Sequence, residues 1–142
     1  TGYTPNIRFD KQMVDVLLKN YNEVYFWPQC IDDYYYLKQL KIKGDIRLVS
    51  PNVNGYDKLL NTGIDYVGNR LHGGIYALQH KCRSIIISID YRAEEMKKNF
   101  SIPCLKRDDI DTQLEEYMNS KWDTRIGGLD FDLIADWKSQ FL

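Results

Sequence analysis

The chain predicts an α/β domain built on a doubly wound parallel sheet, and three observations carry that expectation. Short β-rich runs alternate with helical patterns along its length, the rhythm of βαβ units whose sheet is covered on both faces. Several β-rich runs stop on residues that break a strand, as at Pro28 and Ser50-Pro51-Asn52. The 142 residues suffice for one domain with a full core, and no repeat, low-complexity tract or long linker divides them.

The elements follow in order. Asp10 to Asn20 reads as an amphipathic helix, with Met13, Val16, Leu17 and Tyr21 at helical spacing. Glu23 to Trp27 is a short strand ended by Pro28. Asp32 or Asp33 is expected to cap a helix through Leu40, with Gly44 as the stop signal. Ile46 to Val49 is the next strand, and Gly55 to Thr62 a short helix with Tyr56, Leu59 and Leu60 facing inward. Ile64 to Val67 (strand), Arg70 to Lys81 (helix) and Ser84 to Ile89 (strand) come next. Arg92 to Asn99 and Asp109 to Asn119 are helices, the second with Ile110, Leu114, Tyr117 and Met118 on one side. Ser120 to Gly128 is the least periodic stretch and reads as a loop. A last segment from Asp130 carries Leu133, Ile134, Trp137 and Phe141.

Composition narrows the function. A formal net charge of −1 offers no basic excess for nucleic acid, so any anion site must be built locally from a few converging groups. No apolar run approaches the length of a membrane span, and no signal peptide is visible at Thr1. Cys30, Cys82 and Cys104 are widely spaced, with no Cys-x-x-Cys and no clustered His, which argues against a disulfide framework and structural zinc. Reduced thiols in a cytoplasmic protein, and no metal, are the expectation.

The most informative stretch is Gly68-Asn69-Arg70-Leu71-His72-Gly73-Gly74, at the junction of the third strand and its helix. Helix-start amides point outward and attract anions; glycines let a ligand approach the backbone, and Arg70 adds a forked donor for carboxylate or phosphate. Arg70 could instead pair with a nearby carboxylate, and His72 could be a histidine satisfied by a backbone carbonyl. As functional groups, Arg70 binds the anion and His72 transfers a proton or donates to phosphate. In open α/β sheets ligands sit beyond the carboxyl ends of the strands, which here also carry Gln29, Asn52 and Asp90-Tyr91-Arg92. Asp90 and Arg92 read either as a helix cap and an Arg92–Glu95 surface pair, or as a hydroxyl acceptor and a second cation at the rim. Tyr34-Tyr35-Tyr36, Trp122 and the Trp137/Phe141 stripe read as packing, and His80 as a cation at a helix end.

The run from Asp65 to Lys81, with its Arg70-Leu71-His72-Gly73 core, continued by Arg83 to Ala93 with Asp90-x-Arg92, resembles the polysaccharide pyruvyl transferase family. The likeness covers about Ser50 to Phe100, and the flanking helices match only in layout. It implies the C-terminal, Rossmann-like half of a two-domain fold of the B type found in glycosyltransferases, with the N-terminal domain as missing partner. In that setting the aromatic tail from Phe131 to Phe141 is expected to have packed on the first domain.

The implied reaction moves a pyruvyl group from phosphoenolpyruvate onto two hydroxyls of a sugar or lipid-linked oligosaccharide, forming a cyclic ketal with no further cofactor. By resemblance Arg70 and His72 are the catalytic pair, and Leu71, Gly73, Gly74, Asp90 and Arg92 join them in binding substrate. The setting implied is cytoplasmic, at the membrane surface beside other polysaccharide-biosynthesis enzymes. The isolated chain is then expected to show little turnover. Two alternatives stand beside this: the nucleotide-sugar-binding half of a B-type glycosyltransferase, and a non-catalytic α/β interaction or sensor domain.

Overall fold

A computed structural model describes residues 5–121 and 130–141. It is a mixed α/β structure with two small parallel sheets. Helix α1 (Ile7–Asn20) leads into β1 (Val24–Phe26), α2 (Ile31–Gln39), β2 (Ile46–Leu48), α3 (Val53–Leu60), β3 (Tyr66–Gly68), α4 (Leu71–Gln79), β4 (Ser84–Ser88), α5 (Tyr91–Asn99) and β5 (Cys104–Lys106). A 3₁₀ turn (Arg107–Asp109), a π-helical turn (Ile110–Leu114), α6 (Glu115–Asn119) and α7 (Phe131–Ser139) follow.

Strand β1 pairs with β2 in register Val24 to Ile46, while β3, β4 and β5 form a second ladder with β4 in the middle. All pairs are parallel, as the helix-alternating rhythm requires. Alternation of side chains along β4 divides the second sheet's core. Ile85 and Ile87 pack with Leu105, Ile110, Leu114 and Met118 beneath α1, whereas Ile86 packs with Leu78, Ala93 and Ile102 beneath α4 and α5. Every residue of β4 is buried, so its apolar run satisfies both faces at once.

Local chemistry explains several boundaries that differ from expectation. Helix α2 starts two or three residues earlier: Cys30 holds the N-cap position, and Asp33 at N3 reaches back to accept from the Gln29 and Cys30 amides at 2.9 and 3.3 Å. Asp33 therefore braces the helix from inside instead of capping it, and Asp32 is not the cap either. The helix ends at Gln39 with Leu40 as its C-cap, as expected, but the left-handed residue that follows is Lys41, with φ 48°, and not Gly44. Helix α1 begins at Ile7 because Asn6 caps it, accepting from the Phe9 amide at 3.3 Å.

Strand β5 has no counterpart in the sequence reading: Cys104-Leu105-Lys106 follows Pro103 and, unlike the other short strands, carries no β-branched or aromatic residue. The expected helix from Asp109 to Asn119 is a composite of 3₁₀, π and α turns. Ile110, Leu114, Tyr117 and Met118 nevertheless share the core beneath α1. The Arg92–Glu95 pair is not formed: Arg92 turns back on Asp90, and Glu95 pairs with Lys98 at 2.7 Å. Trp137 and Phe141 do not pack in the core; they meet each other at 5.0 Å and stay 59% and 72% exposed. Trp122 and most of the expected loop over 120–128 lie outside the described residues. No helix among the described residues is long and apolar enough to cross a membrane.

Candidate functional site

Between β1 and β3 lies a cavity of about 460 Å³. Helix α1 covers one side with Met13, Val14 and Leu17, while Trp27, Tyr56, Leu59, Ile64 and Tyr66 line the other. Polar side chains gather where the two strands end: Gln29 and Asp33 after β1, Asn69 and Arg70 after β3, and Asp10 and Tyr36 from α1 and α2. The cavity thus has an apolar body and a polar rim at the carboxyl ends of its strands.

Two clusters organise that rim. Arg70, the N-cap residue of α4, places Nη2 2.5 Å from Asp33 Oδ1, with the Asp33 side chain 17% exposed and that of Arg70 38%. Its backbone carbonyl accepts the Tyr66 hydroxyl at 2.9 Å, which fixes the turn out of β3. Burial pushes the Tyr66 phenol well above its ordinary range, so it remains a donor. Asp10, 3% exposed, forms the second cluster. Its carboxylate accepts from the Tyr36 hydroxyl at 2.6 Å, the Asn69 amide at 2.9 Å and the Asn6 backbone at 3.2 Å. A buried carboxylate with such donors is satisfied, and it ties α1, α2 and β3 together.

The glycines serve packing first. A Cβ on Gly74 would run into the Ile86 side chain, and one on Gly73 would sit 3.2 Å from the Tyr66 hydroxyl and 3.4 Å from Gln29 Nε2. Small residues here let α4 lie close on β4 and bring the Gln29 amide over the start of α4. The Gly73 carbonyl accepts the Tyr56 hydroxyl at 2.7 Å, and Tyr56 stacks on Trp27 with ring centroids 4.0 Å apart. The Gly74 carbonyl accepts Ser84 Oγ at 2.9 Å.

The anticipated site residues fall into three groups. Arg70 lines the cavity. Leu71, His72, Gly73 and Gly74 form the first turn of α4 behind it, with His72 exposed, Leu71 half-buried and the glycines buried. Asp90 and Arg92 form a separate unit: Asp90 caps α5 by accepting from the Arg92 amide at 3.0 Å, and its other oxygen takes Arg92 Nη2 at 2.6 Å. The arginine holds the Asp90 carboxyl below its usual range. Asn52 is occupied as the cap of α3. His80 lies 3.4 Å from Asp57 and against the Tyr76 ring. Among the described residues no group of three His, Cys, Asp or Glu side chains is placed to hold a metal ion.

Asp10, Asp33 and Tyr36 were not anticipated at the rim. One signal was available for Asp10: it shares a helical face with Met13, Val14, Leu17 and Tyr21, where an unpaired carboxylate would be costly. No protein-family model, no curated protein and no solved structure matches this chain.

Proposed function

We propose that the chain is the donor-binding half of a polysaccharide pyruvyl transferase, with phosphoenolpyruvate held where β3 hands over to α4. The observation that carries this reading is the position of Arg70. It stands at the cavity rim as the N-cap residue of α4, a helix with no side-chain cap bond, and His72 is exposed on the first turn behind it. Outward amides, a helix dipole and a guanidinium at one point suit a small dianion.

In this reading Arg70 and the first-turn amides hold the donor's carboxylate and phosphate. His72 protonates the enol carbon C3, and a sugar hydroxyl adds to C2. Phosphate then leaves from C2 and the second hydroxyl closes the ketal; the two hydroxyl protons released balance the one taken up at C3 and the one accepted by phosphate. The fold proposed with it is one Rossmann-like, doubly wound domain, the C-terminal half of a two-domain enzyme working in the cytoplasm at the membrane surface. Leu71, Gly73, Gly74, Asp90 and Arg92 would complete the binding surface.

Asp33 makes the reading testable, because it already occupies part of the Arg70 guanidinium. Calorimetry with phosphoenolpyruvate, beside a panel of uridine- and guanosine-diphosphate sugars, is expected to show heat for phosphoenolpyruvate. Arg70→Ala should weaken binding by about tenfold or more, the scale of one charged hydrogen bond. Asp33→Asn should tighten it by removing a competing anion. Binding of the sugar nucleotides alone would favour the glycosyltransferase reading. Unchanged binding in Arg70→Ala and His72→Ala, with lowered stability, would mark both residues as structural.

A further inference from the structure

The two sheets end on edges that flank the same cavity. The Phe26 carbonyl accepts the Val49 amide at 2.9 Å, so the Tyr25 backbone, one residue back, points away from β2 and toward the cavity. The Tyr66 amide donates to the Arg83 carbonyl at 2.7 Å, so the Val67 backbone points away from β4 and toward the same space. Among the described residues, strands β1 and β3 are therefore open edges, both lining the cavity and belonging to different ladders. Unpaired edges of this kind are templates for another strand.

Helix α1 fixes how such a strand would arrive. At its first turn Asp10 bonds Asn69, just after β3, and just past its end Tyr21 OH lies 2.5 Å from Asp65, just before β3. These two bonds set α1 antiparallel to β3, roofing the cavity, with its N-terminus at the carboxyl rim. A strand running parallel to β1 and β3 would leave the cavity at that rim, where α1 begins. Strand, α1 and β1 would then make one crossover unit.

We propose that the space between β1 and β3 is a strand-receiving slot. Its occupant is an extended apolar stretch of polypeptide on the N-terminal side of α1, which joins the two ladders into one sheet in the order β2, β1, insert, β3, β4, β5. The lining dictates its chemistry. Met13, Val14 and Leu17 face one side of the insert and Tyr56, Leu59 and Tyr66 the other. Both faces are therefore buried, which calls for a continuous run of Val, Ile and Leu in place of an alternating one. At the rim the run ends among Asp10, Asp33, Asn69 and Arg70 and delivers its last side chains beside them. The inference stands on strand edges and helix direction, so it is independent of the donor assigned above.

The test extends the chain before Thr1 by an apolar strand of about six residues, the common strand length. The control extension has equal length, with proline at alternate positions. Hydrogen exchange followed by NMR reads the Tyr25 and Val67 amides, and 1-anilinonaphthalene-8-sulfonate fluorescence reads the open cavity. The apolar extension is expected to slow exchange at both amides by about tenfold or more in a monomer and to abolish dye binding seen with the unextended chain. The proline control should do neither. Protection at neither amide or at only one, an equal effect of the control, retained dye, or protection seen only in a dimer would each overturn the slot.

Discussion

At Gly74 a single hydrogen in place of a methyl group decides how near α4 approaches the sheet. The Ile86 side chain fills the space a Cβ would need, and Ile86 is fully buried between helix and sheet. Gly74→Ala is expected to destabilise the protein by about 1–3 kcal/mol, the cost of overpacking a closed core, visible as a lower urea midpoint with unchanged slope. Gly63 is the contrasting case. Nothing lies within 4 Å of its would-be Cβ, but its φ of 78° is one that residues with a side chain rarely adopt. The glycine pair after His72 was legible as a helix start. Its packing role was not, because Ile86 and Tyr66 reach it only in three dimensions. Asp10 shows the same limit: its partners Tyr36 and Asn69 lie 26 and 59 residues away in sequence.

Among the elements, α5 is the one whose stability follows acidity most directly. Asp90 caps it, accepting from the Arg92 amide, and Arg92 holds the carboxyl below its usual range. A carboxyl depressed on folding contributes fully above its unfolded value near pH 4 and loses that contribution as pH falls through its folded value. Asp90→Ala should cost about 0.5–2 kcal/mol near neutral pH, the ordinary worth of an N-cap. The gap between wild type and variant should close in denaturant titrations run progressively below pH 4; a gap independent of pH would show that ionisation adds nothing to the cap. Helices α1, α3 and α4 were readable in advance as elements, although the Asn6 and Asn52 caps that start the first two were not. Strand β5 was not, since Cys104-Leu105-Lys106 holds no β-branched or aromatic residue, and α2 hid its start behind Cys30, a residue with weak capping preference.

Across the whole molecule the two ladders differ in how deeply they are held. Strand β4 is buried from end to end, whereas β1 and β2 contain no buried residue. Opening of a native protein proceeds through its least buried cooperative units, so residues 24–48 should open together before the β3–β4–β5 layer. Native-state hydrogen exchange is expected to find amides of β1 and β2 exchanging about a hundredfold or more faster than those of Ile85, Ile86 and Ile87; equal rates would mean one cooperative unit. The parallel α/β character was legible from alternation of elements alone. The division into two ladders was not, because no periodicity in β1 or β3 tells which strand stands beside which.

Cys30 has a practical consequence. It is exposed, whereas Cys82 and Cys104 are buried and burial pushes both thiols above their ordinary range. A maleimide fluorophore would therefore couple at one place in the folded chain, next to Gln29 and three residues before Asp33. The molecule carries its own attachment point for a dye that watches events at that edge of the cleft.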